Sequence, residues 1–353
     1  MAEIDAFLRQ LKENKGSDLH LASGTQPRVR RHGALEPIVG STPLSDTALR
    51  TLLRGIAMPE QWAEFERKSD LDFAYNLPGI ARFRANYFVQ ENGAGAVFRI
   101  IPEEIIPIEE LHLPESIARL GELQQGLVLV TGPTGSGKST TLASIIDKIN
   151  RNSARHIVTI EDPLEFVHKN KESVFSHREV GAHTTGFACA LRAAIRQDAD
   201  VILVGEMRDY ETISLALSAA EMGVLVFGTL HTNNAAKTID RVIDAFPADE
   251  QPKARLSLSE SLAAVVSQLL LPTADGRGRC AVNEILLKTS GLPNVIREGN
   301  TSMLYSIIQS GKNIGMQAMD DALWELVQQG RIRGHDAYMK ATDKARFEAS
   351  AET

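Results

Sequence analysis

Two patterns of apolar and polar positions occur along the chain. In residues 81–88 the two kinds of residue alternate, which places Phe83 on one face and Arg82 and Arg84 on the other. This period of two predicts a half-buried β-strand. In residues 138–150, apolar residues recur at intervals of three and four, and this spacing predicts an amphipathic helix.

These patterns divide the chain into four parts. Short strands separated by glycine and proline turns predict a small α+β domain at residues 1–101. Prolines block helix propagation in residues 102–114, which we predict to be a linker. Apolar strands that alternate with helices predict a parallel α/β core at residues 115–272. Shorter, more polar helices are expected to form a C-terminal extension at residues 273–353.

The composition is that of an ordinary globular chain. Its 353 residues are 43% hydrophobic and 24% charged, and the net charge is −7. No run approaches the roughly 18 consecutive apolar residues of a membrane span, and the acidic balance argues against a broad nucleic-acid surface. Cys189 and Cys280 are far apart and form no CxxC pair, so a reducing, cytoplasmic setting is expected.

A glycine-rich segment follows the apolar run 127–131 and opens the helix predicted at residues 138–150. It matches GxxxxGK[ST], in which glycines let backbone N–H groups face phosphates at a positive helix N-terminus. Lys138 is expected to reach the β- and γ-phosphates of ATP, and the Ser139 hydroxyl to bind Mg²⁺. The residues of this predicted nucleotide site are Gly132, Pro133, Thr134, Gly135, Ser136, Gly137, Lys138, Ser139 and Thr140.

Carboxylates follow two of the next predicted strands. Glu161 comes after the run 156–160, and Glu206 comes after a strand that resembles a Walker B strand, except that Gly205 stands where Asp is frequently found. Ligands gather at the C-terminal ends of such strands, so both carboxylates are candidate Mg²⁺ ligands together with Ser139. Phosphoryl transfer depends mainly on positioning and charge neutralisation, and we assign the alignment of the attacking water to Glu206.

The apolar run 224–230 ends at His231, which is expected at the same edge of the sheet. An imidazole there could contact the γ-phosphate by donating a hydrogen bond or by changing its protonation. It could equally be a structural histidine, and the sequence leaves both roles open.

Three arginines of the N-terminal part could complete the site. Arg82 and Arg84 share one strand face, and Arg99 follows on a nearby predicted strand. A nucleotide held between two domains needs a cation opposite the P-loop, and a bidentate guanidinium suits phosphate well. The alternative is that these are surface arginines without a specific role.

Five segments read together resemble the secretion-type traffic ATPases and, among them, the PilT-type retraction ATPases of type IV pili. The segments are GPTGSGKST at 132–140, TIEDPLEF at 159–166, REVG at 178–181, LRAAIRQDADVILVGEMRD at 191–209 and GTLHTNNA at 228–235. The resemblance implies an α/β protein with a PAS-like α+β N-terminal domain, a RecA-like P-loop ATPase domain and a C-terminal helical extension. Gly205 is then a family trait.

The resemblance also implies a site and a function. Side chains outside the P-loop with implied catalytic roles are Glu206, Glu161, His231, Arg82, Arg84 and Arg99. The implied activity is Mg²⁺-dependent ATP hydrolysis by a cytoplasmic homohexamer that powers pilus retraction and twitching motility. Its implied partners are an inner-membrane platform protein, which would hold it at the periphery of that membrane, and a paralogous retraction ATPase.

The segment 291–298, GLPNVIRE, departs from the family. Retraction motors carry AIRNLIRE here, so only the second half is kept, and Pro293 fits a helix only in its first turn. The accessory retraction ATPases of the PilU type therefore remain an alternative. Two other classes are less well supported: the net charge disfavours a nucleic-acid translocase, and Ser139 and Glu206 argue against a regulatory module that binds nucleotide without hydrolysing it.

Overall fold

The computed structural model describes residues 3–31, 34–101 and 104–351. The chain separates into two compact units. The first comprises Met1–Glu104 and Pro163–Val167, and the second Ile105–Asp162 and His168–Thr353.

The predicted linker at 102–114 is divided between these units. Pro102 and Glu103 lie outside the described residues. The rest of the linker from Ile105 onward belongs to the second unit, in which Ile108–Leu111 form a 3₁₀ turn. The side chain of Ile108 is buried there, so this part of the segment is packed against the core rather than extended.

The first unit is built on an antiparallel sheet. Its strands are β1 (Asp18–Ala22), β2 (Arg28–Arg31), β3 (Ala34–Pro37), β4 (Asp70–Leu77), β5 (Ala81–Gln90) and β6 (Gly93–Ile101). Their order in the sheet is β3-β2-β1-β6-β5-β4. Its helices are α1 (Asp5–Glu13), α2 (Asp46–Arg54) and α3 (Pro59–Lys68).

Strand β5 shows how the alternating pattern builds this unit. Ala81, Phe83, Ala85 and Tyr87 are buried, while the residues between them are at least partly exposed. The ring of Tyr87 packs edge-on against Phe73 at 5.1 Å and against other aromatic rings of the core. Each such pair contributes about 0.5–1.5 kcal/mol beyond the burial of its area, so the predicted strand also anchors the core.

The second unit is built on a sheet with strand order β13-β12-β7-β11-β10-β8-β9. Its strands are β7 (Gly126–Thr131), β8 (His156–Glu161), β9 (Val174–Glu179), β10 (Val201–Val204), β11 (Leu225–Leu230), β12 (Leu262–Pro272) and β13 (Arg279–Leu287). Its helices are α4 (Glu115–Ala118), α5 (Lys138–Asn152), α6 (Phe187–Ala194), α7 (Tyr210–Glu221), α8 (Ala235–Asp244), α9 (Gln251–Ser261), α10 (Leu292–Glu298), α11 (Leu304–Ser310), α12 (Met319–Gln328), α13 (Gly334–Lys340) and α14 (Glu348–Ala351).

All pairings in this sheet are parallel except that of β12 with β13. The central strands β7, β10 and β11 are buried along their whole length, as expected for parallel strands covered on both faces. Apolar residues fill the layers on the two faces. Because β7, β10 and β11 are continuous apolar runs, they could be predicted from the sequence.

The helical extension expected from residue 273 begins later in the structure. Residues Arg279–Leu287 form β13, which pairs antiparallel with β12 and extends the sheet. The prediction of a helical segment was wrong over this range, because residues 281–287 are buried or half-buried and complete the core by pairing with β12 rather than by covering a face. Helices follow from Leu292 onward.

The unusual segment 291–298 folds as a regular short helix. Pro293 lies in the first turn of α10, where its missing N–H is not needed for an intrahelical bond. Leu292, Val295 and Ile296 are buried. The departure from the AIRNLIRE motif therefore leaves a helix in place.

Candidate nucleotide-binding and catalytic site

The P-loop connects β7 to α5, and its shape requires glycine at both ends. Gly132 and Gly137 have φ values of 144° and 85°, which other residues rarely adopt. A Cβ atom at Gly132 would lie 2.2 Å from the backbone oxygen of Gln268, and one at Gly137 would lie 3.0 Å from Gln268 Nε2. The loop therefore packs directly against β12, and it leads into a helix end that favours anions.

Lys138 is the first residue of α5, and its side chain bends back over the loop. Its Nζ donates hydrogen bonds to the carbonyl oxygens of Gly132 at 2.9 Å and Pro133 at 3.0 Å. The residue is only 8% exposed. Ser139 and Thr140 follow in the first turn of α5 and are partly exposed, so a cation and hydroxyl groups meet at one helix start.

Gln268 of β12 anchors the P-loop, a role that was not predicted from the sequence. Its Nε2 donates to the backbone carbonyl oxygen of Ser136 at 2.7 Å. Its Oε1 accepts from Thr141 Oγ1 at 2.8 Å and from Asn283 Nδ2 at 3.0 Å. The residue is 2% exposed. The available signal was a lone amide in the middle of the apolar run 262–271, because a buried polar side chain must find partners.

Parallel pairing brings the other predicted residues to the same edge of the sheet. Strand β7 pairs with β11, β11 with β10, and β10 with β8. The P-loop, His231, Glu206 and Glu161 each lie at or just beyond the C-terminal end of one of these strands. The prediction that these strand ends meet thus agrees with the strand order.

Glu206 contacts two cationic or potentially cationic groups. Its Oε2 accepts from Arg208 Nη2 at 2.6 Å, and its Oε1 lies 3.0 Å from His231 Nε2. The hydrogen bond from Arg208 lowers the pKa of Glu206, burial opposes the shift, and the charges of Arg208 and His231 add to the lowering. The carboxylate is therefore held ionised. Arg208 was missed by the sequence analysis, although it stands only two residues after Glu206.

Gly205 gives Glu161 the space that it occupies. A Cβ atom at residue 205 would lie 3.2 Å from the Ile160 oxygen and 3.3 Å from Glu161 Cγ. Glu161 is 8% exposed, so a larger residue at 205 would crowd it against strand β8. The acid of the neighbouring strand thus stands beside the position where a Walker B Asp is frequently found.

The loop after Glu206 is anchored by packing. Met207 is 1% exposed, and a Cβ atom at Gly228 would lie 2.3 Å from its sulfur. The backbone N–H of Met207 donates to the Thr229 oxygen at 3.0 Å. The residues on either side of the buried methionine are thereby fixed relative to strand β11.

The three predicted arginines lie in the first unit. Arg84 of β5 and Arg99 of β6 stand opposite each other in the strand register, while Arg82 stands opposite Ile101. Arg99 Nε donates to Asp18 Oδ1 at 2.7 Å. The side chains of Arg84 and Arg99 are 48% and 69% exposed, so the structure brings these two together on one accessible face.

Oxygen donors at the sheet edge suit Mg²⁺. In the three described ranges no group of three or more His, Cys, Asp or Glu side chains could hold a metal ion by itself. Mg²⁺ is usually bound through one or two protein groups, substrate phosphates and water. The hydroxyl of Ser139 and the carboxylate of Glu161 are groups of that kind.

A largely parallel sheet with a P-loop after one central strand and acidic and histidine residues after its neighbours defines a RecA-like P-loop nucleotide-binding protein. The sequence profile of the type II/IV secretion system proteins matches residues 2–292. The chain belongs to this family.

Within this family, the chain is similar along nearly its whole length to two pilus ATPases and to one solved structure. The chain is 50% identical to the type IV pilus retraction ATPase PilT of Pseudomonas aeruginosa, over 96% of this chain and 98% of that protein. It is 40% identical to the type IV pilus ATPase PilU of the same organism, over 96% and 88%. The crystal structure of the pilus retraction motor PilT with bound ADP has a TM-score of 0.91 at 41% identity and 99% coverage of both chains.

These findings confirm the predicted fold class and the predicted membership in the PilT-type ATPases. Within the described residues no helix has both the length and the apolar character needed to cross a bilayer.

Proposed function

We propose that this chain is an ATP-hydrolysing motor subunit that powers retraction of type IV pili and thereby twitching motility. The observation that carries the proposal is the single sheet edge that gathers Lys138, Glu161, Glu206 and His231 on neighbouring parallel strands. The likeness to retraction ATPases supports the mechanical role.

Binding begins at the P-loop. Backbone N–H groups of the loop and of the first turn of α5 face the phosphates. Lys138 Nζ, which donates to the Gly132 and Pro133 oxygens, turns to the β- and γ-phosphates and exchanges two neutral acceptors for charged ones. Ser136 and Thr141 keep their contacts with Gln268, so the loop itself need not rearrange.

Hydrolysis is assigned to the acidic edge. The ionised Glu206 aligns the attacking water, while Arg208 and His231 hold its two oxygens. Positioning of this kind supplies most of the catalysis in phosphoryl transfer. His231 is close enough to the same carboxylate to respond to charge that develops on the γ-phosphate.

Mg²⁺ would neutralise charge on the β- and γ-phosphates. Ser139 would supply one ligand, and Glu161 and Glu206 would orient the ion or its waters. Glu161 lies at the end of β8 and is 8% exposed, and Glu206 lies beyond the end of the neighbouring strand β10, so both stand at the edge where the ion would bind.

The remaining parts of the proposal concern assembly. Arg82, Arg84 and Arg99 would complete the nucleotide site, and the working form would be a cytoplasmic homohexamer. A platform protein of the pilus machine would hold the ring at the inner membrane, and a PilU-type paralogue is a further candidate partner. The likeness to a retraction ATPase along nearly the whole chain supports this assembly.

The test is steady-state ATPase activity of the purified chain as a function of its own concentration, with and without Mg²⁺ and with and without DNA. We expect Mg²⁺-dependent activity that rises as chains assemble and is unaffected by DNA. Absence of turnover at every concentration would indicate an accessory or regulatory role. Strong stimulation by DNA would overturn the proposal in favour of a translocase.

A second test is mechanical. Deleting the gene in a piliated host should abolish twitching on a surface while leaving surface pili in place. Complementation with the wild-type chain should restore movement. Loss of pili after deletion would instead point to an assembly function.

A further inference from the structure

Glu284 is a buried carboxylate that the function proposed above does not use. It lies on β13 and is 8% exposed. Its Oε1 accepts a hydrogen bond from the backbone N–H of Ala235 at 2.8 Å. Burial raises the pKa of Glu284, and the backbone N–H groups of Ala235 and Met319 oppose the shift.

Both residues are the first of their helices. Ala235 begins α8, and Met319 begins α12. The first N–H groups of a helix have no partner within it, and the positive end of the helix dipole favours a carboxylate. One side chain therefore satisfies the first N–H of α8, which it ties to β13, and its charge also favours the first N–H of α12.

The first of these helices follows directly on the loop that carries His231. Residues 231–234 connect the end of β11 to α8, and Asn234 caps the helix by accepting from Lys237 N at 2.8 Å. The loop is therefore fixed at one end by β11 and at the other by the contact between Glu284 and Ala235.

The second helix belongs to the C-terminal extension. Gln317, two residues before α12, forms a backbone bridge with Ile285 of β13, at 2.8 Å and 3.1 Å. The start of α12 thus lies against the same strand as Glu284. A shift of α12 would therefore displace the part of β13 whose carboxylate holds α8.

The residue before Glu284 makes the corresponding contact on the other face of the strand. Successive strand residues point to opposite faces, and Asn283 Nδ2 donates to Gln268 Oε1, which is part of the contact with the P-loop. Of these two neighbouring residues of β13, Asn283 therefore supports the P-loop through Gln268, and Glu284 supports the His231 loop through Ala235.

We propose that Glu284 is a positioning residue for ATP hydrolysis, through which helix α12 of the C-terminal extension sets the place of the His231 loop. This inference rests on the proposed function, because it takes hydrolysis at Glu206 and His231 as the step being tuned. A displacement of α12 is expected to change the turnover rate through Glu284. A substitution at Asn283 is expected to change the affinity for nucleotide through Gln268.

The sharpest test removes one N–H group and leaves the carboxylate in place. Proline is tolerated at the first position of a helix, and Ala318 before it has ψ 150°, which a following proline favours. Met319→Pro therefore deletes this N–H group, while Met319→Ala shortens the same side chain and keeps it. We expect kcat to fall about tenfold in Met319→Pro relative to Met319→Ala, with KM for ATP unchanged.

A second pair tests the carboxylate itself. Glu284→Ala should lower kcat at least as much as Met319→Pro, and Glu284→Gln, which keeps one acceptor oxygen, should recover part of the loss. Asn283→Ala should have the reverse effect of Glu284→Ala: it should weaken ADP binding and leave kcat nearly unchanged. Glu325→Gln is the control, because this glutamate is exposed on the same helix α12.

Thermal unfolding of every variant separates positioning from simple stabilisation. If Met319→Pro and Glu284→Gln melt at lower temperature but keep the wild-type kcat, the inference is overturned. It is also overturned if kcat and KM change together in both. If the wild-type chain itself shows no ATPase activity, the proposed function fails and the inference fails with it, whereas active wild type with unchanged variants rejects the inference alone.

Discussion

The P-loop and the acidic edge beside it are held in place by different kinds of contact. Gln268, Thr141 and Asn283, which fix the P-loop, are each at most 2% exposed and carry no charge. Glu206 is held instead by Arg208 and His231, whose side chains are 76% and 47% exposed.

This difference has consequences for how each part responds to conditions. Buried hydrogen bonds between neutral groups are little affected by salt or pH, whereas exposed charged pairs are screened and contribute less than about 1 kcal/mol. The phosphate cradle is therefore rigid before nucleotide arrives. The catalytic carboxylate keeps partners that can exchange during turnover.

The largest expected effect is on turnover and distinguishes the acidic edge, where hydrolysis is assigned, from the P-loop, which binds nucleotide. Glu206→Gln should keep nucleotide binding and lose turnover by about two to four orders of magnitude, because the amide cannot align the water as the carboxylate does. Lys138→Ala should lose binding as well. Steady-state hydrolysis and fluorescent-ADP titration measure the two quantities. Turnover at the wild-type rate in Glu206→Gln would show that another group serves as the base.

The second prediction concerns the pH dependence of the free energy of unfolding that a buried histidine causes. His168 is 5% exposed and stacks on Phe175 at 4.7 Å; burial lowers its pKa to about 4, and the charge of His177 adds to the shift. The unfolded chain therefore binds a proton first as the pH falls. We expect the free energy of unfolding to decrease between about pH 6.5 and pH 4, by at most about 3 kcal/mol.

Urea unfolding at several pH values measures this dependence. His168→Phe keeps an aromatic ring against Phe175 and removes the titrating group, so its stability should vary less over the same window. If the variant and the wild type lose stability in parallel, His168 is not the group responsible.

The third prediction weakens the buried network of the P-loop. Gln268→Ala leaves the hydroxyl of Thr141 and the amide of Asn283 without their shared acceptor, which should lower the free energy of unfolding by about 1–3 kcal/mol. ADP affinity should fall more than kcat, as calorimetric titration and steady-state kinetics can show. Gln329→Ala is the control, because that glutamine is exposed. Unchanged ADP affinity in Gln268→Ala would contradict a role in shaping the loop.

The smallest expected effect is at the exposed pair. Arg208→Gln removes the main cause of the lowered pKa of Glu206, yet the carboxylate stays ionised at neutral pH because glutamate ordinarily titrates near pH 4.3. We expect kcat to change only about two- to fivefold and to lose part of its salt dependence. A loss as large as that of Glu206→Gln would mean that Arg208 itself contacts the phosphates.

Much of the site followed from local pattern. The P-loop could be predicted because its glycines, lysine and serine are contiguous and lie between a strand and a helix. Glu161, Glu206 and His231 could be placed at one edge because each ends an apolar run, and parallel strands end on the same side. Gln268 could not be assigned in this way, because its partners on the P-loop and α5 are remote in sequence. Arg208 follows the strand end by several residues and had no role predicted from the sequence, so its contact with Glu206 became visible only in the fold.

Four strands of the parallel core (β7, β8, β10 and β11), the nucleotide loop and the family could be predicted from the sequence, since each depends on residues close together in the chain; β9 and β12 were not predicted. That residues 279–287 extend the sheet became clear only from the fold, because a short segment of mixed polarity becomes a strand or a helix according to what it pairs with. The same holds for Glu284, whose two partners lie 49 and 35 residues away. Long-range hydrogen bonds leave no periodic trace in the sequence, so they become visible only when the chain is folded.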